Sequence, residues 1–245
     1  MSKEIVAQNQ ETELMAVPEG SWGTENISSQ DLLISKMLLM QPLSTLVVDG
    51  KATPGDMVDS VSQQILGNKN KPVEIIPIHM TKTWSIFKNV GGKFEYDHME
   101  PITPANEQQP YEFTVDGVQY QRNKDMNFFV LLRSEAKEAS AFPRVITFRR
   151  TSSMAGRNLA THFAKAAMEK MPPAAYAFNV SCTMEKNDKG SYFVYHVERT
   201  TRTEVPEIAA AYRWYKTLQT QTHRVDESEN EGEQAKAPAS NTQEY

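Results

Sequence analysis

Three stretches of this chain interleave aromatic and basic side chains. Lys82, Trp84 and Lys88 share one face of a β-rich segment, with Phe87 one residue off that face. Arg144, Phe148, Arg149 and Arg150 run on toward Arg157, and Tyr192, Tyr195, Arg199 and Arg202 form the third group. Single-stranded nucleic acid binds where a basic groove follows its phosphates and aromatic faces accept its bases, each stacked base contributing about 1–3 kcal/mol. Strand alternation puts Tyr192 with Val194 and His196, and Phe193 with Tyr195 and Val197. One of those faces must be core, so at most one of Tyr192 and Tyr195 stacks on a base. The expected stacking residues are Trp84, Phe87 and Tyr195. The expected phosphate contacts are Lys82, Lys88, Arg149, Arg150 and Arg157, with Arg144 and Arg199 in the same nucleic-acid-binding set. The plainer alternatives are a core or edge tryptophan at position 84 and solvated arginines elsewhere. The crowding of Arg149, Arg150 and Arg157 around a Ser/Thr-rich helix start favours phosphate.

Other chemistries find little support. There is no phosphate-binding glycine loop, no nucleophile elbow and no HExxH. The five histidines are scattered. His79 and His98 are expected to face each other across a hairpin, with Asp97 and Glu100 near, as cross-strand decoration and not as a metal pair. Asp56, Asp59 and Glu74 do not have a recognisable ligand spacing. Cys182 is the sole cysteine, which excludes an internal disulfide and a Cys-based structural zinc site. In the strand-like FNVSCTM it reads as a buried structural thiol. The expectation is a non-enzyme with no catalytic residues, no cofactor and no metal; a nuclease would need a metal cluster that the sequence does not display.

The elements that must position these residues are mostly strands. Val73 to Lys88 reads as one long strand, with Pro77 marking an edge or a bulge. Asn89 to Gly92 turns the chain into KFEYDHM, and a loop with three prolines spans 101–110. YEFTVDGVQYQR is a hairpin pattern around Asp116-Gly117. MNFFVLLR and RVITFRR follow as strands. A helix capped near Thr151–Ser153 places Leu159, Phe163, Ala166, Ala167 and Met171 on one face, and Pro172-Pro173 stop it. Tyr176 to Arg199 is a second hairpin. Pro206 opens a last helix with Ile208, Ala211, Tyr212, Tyr215 and Leu218 as its apolar stripe. Leu32 to Val48 is a strand pair or a short helix. No regular β-α-β alternation occurs, which argues against a parallel-sheet enzyme. The fold class expected is mainly β with α (α+β): a twisted antiparallel OB-like β-barrel with one inter-strand helix and a C-terminal helix.

Charge divides the chain into three zones. Residues 1–31 carry one basic and six acidic residues and read as a mostly disordered arm, apart from Trp22, which is free to dock on the body. Residues 32–225 carry 24 basic and 19 acidic residues and read as a single domain. Within them, 144–224 hold 13 basic against six acidic. Residues 226–245 carry one basic and six acidic residues and read as a disordered tail. A basic body with an acidic tail describes a polyanion binder that carries its own competitor. No basic-then-apolar signal pattern opens the sequence, and LLISKMLLM is too short to span a bilayer. A cytoplasmic protein, in the host cell if phage-encoded, is expected, with no membrane partner.

The stretches KMLLMQPLSTLVVDGKATPGDMVDS, VEIIPIHMTKTW, PRVITFRRTSSMAGRNLATHF and EKNDKGSYFVYHVERTT, followed by a final helix and an acidic tail, resemble phage-encoded single-stranded DNA-binding proteins. The similarity is one of layout and short phrases over roughly residues 36–220. It implies an OB-like core that coats single-stranded DNA with low sequence preference in replication or recombination. It also implies a tail that contacts replication or recombination proteins. One departure concerns the tail. The well-known bacterial single-strand binders end in an Asp run and Pro-Phe, whereas this sequence ends NTQEY. The alternative reading is a protein-interaction or host-modulating accessory protein that works through its acidic arms. Self-association is compatible with both.

Overall fold

Eighteen consecutive extended residues, Val73–Val90, form the spine of the protein in the computed structural model, which describes residues 33–188, 190–220 and 224–225. The acidic arm over 1–31, with Trp22, and the acidic tail over 226–245 lie outside the described residues. In chain order the elements are β1 (Leu33–Ile34), β2 (Met37–Leu39), α1 (Thr45–Val48), β3 (Met57–Asp59) and β4 (Ile65–Gly67). Then come β5 (Val73–Val90), β6 (Lys93–Pro101), β7 (Glu112–Val115), β8 (Val118–Leu132) and β9 (Arg144–Phe148). The remainder is α2 (Ser153–Met168), β10 (Tyr176–Asn187), β11 (Gly190–Arg202), α3 (Val205–Thr220) and β12 (Arg224–Val225). The undecided stretch before Val48 thus holds two short strands and one helical turn.

β5 and β8 run antiparallel from Ile75 opposite Leu132 to Lys88 opposite Tyr120. Their two halves have different neighbours. At one end β10 pairs with Val73–Ile75 and β9 with Met126–Val130, giving the order β11-β10-β5-β8-β9. At the other end β6 pairs with Thr83–Val90 and β7 with Val118–Gln121, giving β6-β5-β8-β7. MNFFVLLR is therefore the second half of β8, not a strand of its own. A register shift at Pro77 marks the expected bulge. Asp116 and Gly117 both have positive φ, +50° and +80°, as the two-residue hairpin turn requires.

The expected OB-like barrel is replaced by open sheets. Among the described residues β9 and β11 end opposite edges of the seven-stranded sheet and do not pair, so no closed barrel forms. The connection from β9 to β10 carries α2 across a face of the sheet instead of closing its edges. β2, β3 and β4 make a separate antiparallel sheet, and β1 pairs with β12 in parallel.

Both faces of the five-stranded end are covered, which explains why β8 is apolar at successive positions. Phe128, Val130 and Leu132 point to the α2 side, with Met37, Leu39, Leu159 and Phe178. Phe129 and Leu131 point to the α3 side, with Ala210 and Ala211, against which Trp214 packs. Gly156 lets α2 approach closely: a Cβ there would lie 2.7 Å from Phe148 Cβ and from Met126 Cε. Ala155, Gly156, Leu159 and Ala166 form the buried stripe of α2, while Ala167 is exposed.

Ala211, Tyr215 and Leu218 of the expected α3 stripe pack on the sheet together with Ala210 and Trp214, whereas Tyr212 is 57% exposed. Glu207, in the first turn of α3, is 1% exposed. Its carboxylate accepts from Arg133 Nε at 2.9 Å and from the Glu204 backbone N–H at 2.6 Å. Among the described residues no helix is long and apolar enough to cross a membrane.

Candidate nucleic-acid interface

Packing removes the three aromatic candidates from the surface. Trp84 is 7% exposed, and its indole N–H donates to the Asn106 carbonyl at 3.2 Å. Phe87, 3% exposed, meets Tyr96 edge-on at 5.9 Å between centroids. Tyr195 lies in the core beneath α2; its hydroxyl donates to the Met37 carbonyl at 2.7 Å, and its ring meets Phe148 edge-on. None of the three offers an open ring face in this conformation. The face of β11 that serves as core is thus the one carrying Tyr195, and Tyr192 is the half-exposed partner.

The cations divide into two groups. Arg144 is held inside the protein, where its Nε donates to Asp59 at 2.8 Å and its Nη1 to Glu135 at 2.7 Å. Arg149 is 9% exposed, with Nε 3.5 Å from Asp125. The Arg150 guanidinium lies 5.6 Å from the Phe87 ring, and the Asn123 amide oxygen, oriented toward it, accepts at 3.0 Å. Lys82 is exposed and 3.8 Å from Glu107; Lys88 is half-buried opposite Tyr120. Arg133, which the sequence reading passed over, is bound to Glu74 and Glu207.

The second group lies along the seam between α2 and β11. Ser152 Oγ accepts the Tyr195 backbone N–H at 3.2 Å, and the His162 ring lies 5.2 Å from Phe178, which pairs with Arg199. Ten helical residues cover about 15 Å and four strand residues about 13 Å. Helix and strand therefore run side by side. Lys165 and Arg199, both near His162, are exposed on this seam, Arg157 is exposed elsewhere on α2, and none of the three makes an ion pair with a described residue. Arg199 and Arg202 lie over the Tyr176 ring at 4.7 and 5.8 Å. His162 reports the local field: burial first, then Arg199 and Lys165, hold its imidazole below the ordinary histidine range.

At the Ser152 end the seam opens into a groove of about 390 Å³, whose lining includes Gln41, Arg149, Arg150, Ser152, Tyr192 and Tyr195. The Tyr192 hydroxyl donates to Glu185 at 3.1 Å, which raises its pKa. The structure thus brings Arg149, Arg150 and Tyr195 to one groove and Arg199 to the adjoining seam, while Arg157 is exposed elsewhere on α2. Lys82, Trp84, Phe87 and Lys88 belong to the other half of β5, and Arg144 to the interior. His162, Lys165 and Tyr176 were not among the sequence candidates, whereas Arg202 was, in the group with Tyr192, Tyr195 and Arg199. A helical projection would have found Lys165, which with Arg157 lies away from the Leu159 and Ala166 stripe.

His79 and His98 do not face each other. His79 packs on Tyr215 and Phe129 in the first half of β5, whereas β6 begins to pair only at Thr83 and sets His98 opposite Ile86. Among the described residues no group of three or more His, Cys, Asp or Glu side chains is placed to hold a metal ion. Cys182 is buried, its thiol donates to the Gly55 carbonyl at 3.0 Å, and burial pushes its pKa up.

These features define a mainly β protein with a helix on each face of an open antiparallel sheet and a basic seam beside one of them. The chain belongs to the Pam3 phage gp34-like protein family, whose model matches residues 7–224, which makes it a phage protein. No curated protein matches it, and no solved structure does.

Proposed function

We propose that the protein binds single-stranded DNA without catalysing a reaction, coating exposed strands with little sequence preference during phage replication or recombination. The observation that carries this reading is the α2–β11 seam. Lys165 and Arg199 stand exposed there, and Arg157 elsewhere on α2, with no carboxylate partner among the described residues, while Arg133, Arg144 and Arg149 lie against acids of the fold. A run of unneutralised cations beside half-exposed Tyr176 and Tyr192 is what a flexible polyanion with π-faces requires. An OB-like barrel is not needed for it: an open sheet with a helix laid along one strand supplies the same two components. Lys82, Arg150, Arg157 and Arg199 remain the phosphate contacts from the original set, and His162, Lys165 and Arg202 join them.

Fluorescence anisotropy of a labelled oligo-dT against a duplex of equal length tests the proposal. Neutralising four phosphates of a single strand gives a log–log salt slope of about −3. Tight, salt-sensitive binding confined to the single strand is the expected result. Absence of binding at low salt would overturn it and turn attention to protein partners of the acidic arms.

A further inference from the structure

The loop 102–111 joins β6 at one edge of the four-stranded end to β7 at the other, and it crosses the face that carries Trp84. Trp84 stands opposite Lys124 and Lys82 opposite Met126, so all four side chains share one side of the sheet. Met126 and Phe128 continue that side into the core beneath α2, where Met126 Cε meets Gly156. The side of the sheet that carries the covered tryptophan therefore continues toward α2.

What the loop places on this surface is informative. Glu107 Oε1 lies 2.8 Å from Lys124 Nζ and 3.8 Å from Lys82 Nζ. These two lysines hold its carboxyl below the usual range. The Asn106 carbonyl takes the Trp84 indole N–H. Gln109 accepts from Arg122 Nη1. Arg122 is 6% exposed, with its guanidinium 4.1 Å from the Phe113 ring and 5.7 Å from the Trp84 ring. Its Nε is buried and has no hydrogen-bond partner. A buried, unsatisfied guanidinium donor is costly and needs an acceptor. The contacts holding the loop down are mostly polar, and its ion pairs are solvent-exposed and weak.

We propose that loop 102–111 is a displaceable lid over a second strand-binding site made of Trp84, Arg122, Lys82 and Lys124, in which Glu107 occupies the place of a phosphate. The proposal rests on the single-strand reading above. When a strand bound along the α2–β11 seam extends toward β5, its phosphate replaces Glu107 between the lysines. The arriving oxygens supply the acceptor that Arg122 Nε lacks, and a base stacks on the uncovered indole. No covalent step is involved.

The test is a titration of the full chain with oligo-dT of about 20 nucleotides, following tryptophan emission and the anisotropy of a labelled strand together, for wild type, Trp84→Phe and Glu107→Gln. Quenching that saturates with the anisotropy in wild type and is lost in Trp84→Phe is expected, and Glu107→Gln should tighten binding about two- to fivefold. Should Trp84→Phe fail to fold, the Trp22→Phe/Trp214→Phe chain, with Trp84 as its one indole, gives the same readout. Normal anisotropy with unchanged Trp84 emission would overturn the lid and leave the single-strand reading intact. No anisotropy change in wild type or in Glu107→Gln would overturn both.

Discussion

The carboxylate of Asp59 receives the Arg144 guanidinium at 2.8 Å, and the Asp59 side chain is only 5% exposed. This pair joins β3 of the small sheet to β9 of the large one, with Ser35 also donating to Asp59. An arginine read from the sequence as a phosphate contact is thereby a structural tie. Removing it leaves a buried carboxylate without its cation, so Arg144→Ala should lower stability by about 3 kcal/mol. It should leave the salt slope of oligo-dT binding where it was. Burial works to raise the Asp59 carboxyl, but the Ser62 backbone N–H, Arg144 and Ser35 together hold it below the usual range. A depressed carboxyl stabilises the fold above its unfolded value of about pH 4 and loses that contribution as pH falls through the folded value. Urea unfolding of Asp59→Asn should therefore show a flatter loss of stability below about pH 4 than wild type.

Charge reversal on the seam acts on binding and not on folding. Lys165 and Arg199 are exposed and make no ion pair with a described residue, so Lys165→Glu and Arg199→Glu should each change stability by less than about 0.5 kcal/mol. Affinity for oligo-dT should fall for each, and each lost phosphate contact should make the log–log salt slope shallower by about 0.7. Unchanged affinity and slope in the double variant would remove the seam as the binding surface.

Tyr195 separates packing from stacking. Its hydroxyl bonds to the Met37 carbonyl inside the core. Tyr195→Phe removes that bond while keeping the ring, which should cost about 1 kcal/mol and leave one buried carbonyl short of a donor. Oligo-dT affinity should not change, whereas loss of affinity without loss of stability would restore Tyr195 as a contact residue.

Local rules made much of this architecture legible. Asp116-Gly117 announced its hairpin because few residue pairs tolerate two positive φ values, and Pro206 lies at the start of its helix for the same kind of steric reason. By contrast, α2 ends at Met168, with Lys170 at φ +55°, ahead of Pro172-Pro173 and without Met171. Tertiary pairing was not legible. Nothing in the alternation of β5 says that its first half pairs with β10 and its second with β6, yet that split keeps the sheet open. Trp84 has the neighbours of a stacking residue, but a proline-rich loop distant in sequence folds over it. The bond from Arg133 to Glu207 of α3 joins residues far apart in sequence, and hydrophobic periodicity is blind to it.

The acidic tail offers a clean separation of rival functions. Residues 226–245 carry six acidic residues and one basic. Under the DNA-binding proposal they compete with the strand for the same cations. Removing them should leave oligo-dT affinity equal or higher, with the largest gain at low salt, where screening is weakest. If the acidic arms are instead the working surface, truncation should abolish capture of a protein partner and leave nothing for oligo-dT to gain.

His162 gives the seam a pH signature. Its imidazole sits at the ring edge of Phe178 with Arg199 and Lys165 near, and burial, Arg199 and Lys165 in that order keep it from protonating at its ordinary pKa of about 6.5. The folded chain therefore holds fewer protons at this site than the unfolded chain as pH drops below about 6.5, and stability falls across that window. A bound phosphate chain reverses the local field, raises the imidazole pKa and makes binding take up a proton. Oligo-dT affinity should thus rise from about pH 8 to about pH 6, more steeply than in His162→Gln. Exposed His196 on β11 is common to both proteins, so the difference between them isolates His162. Identical pH profiles would mean that the strand does not pass this end of α2, and the path along β11 would have to be redrawn.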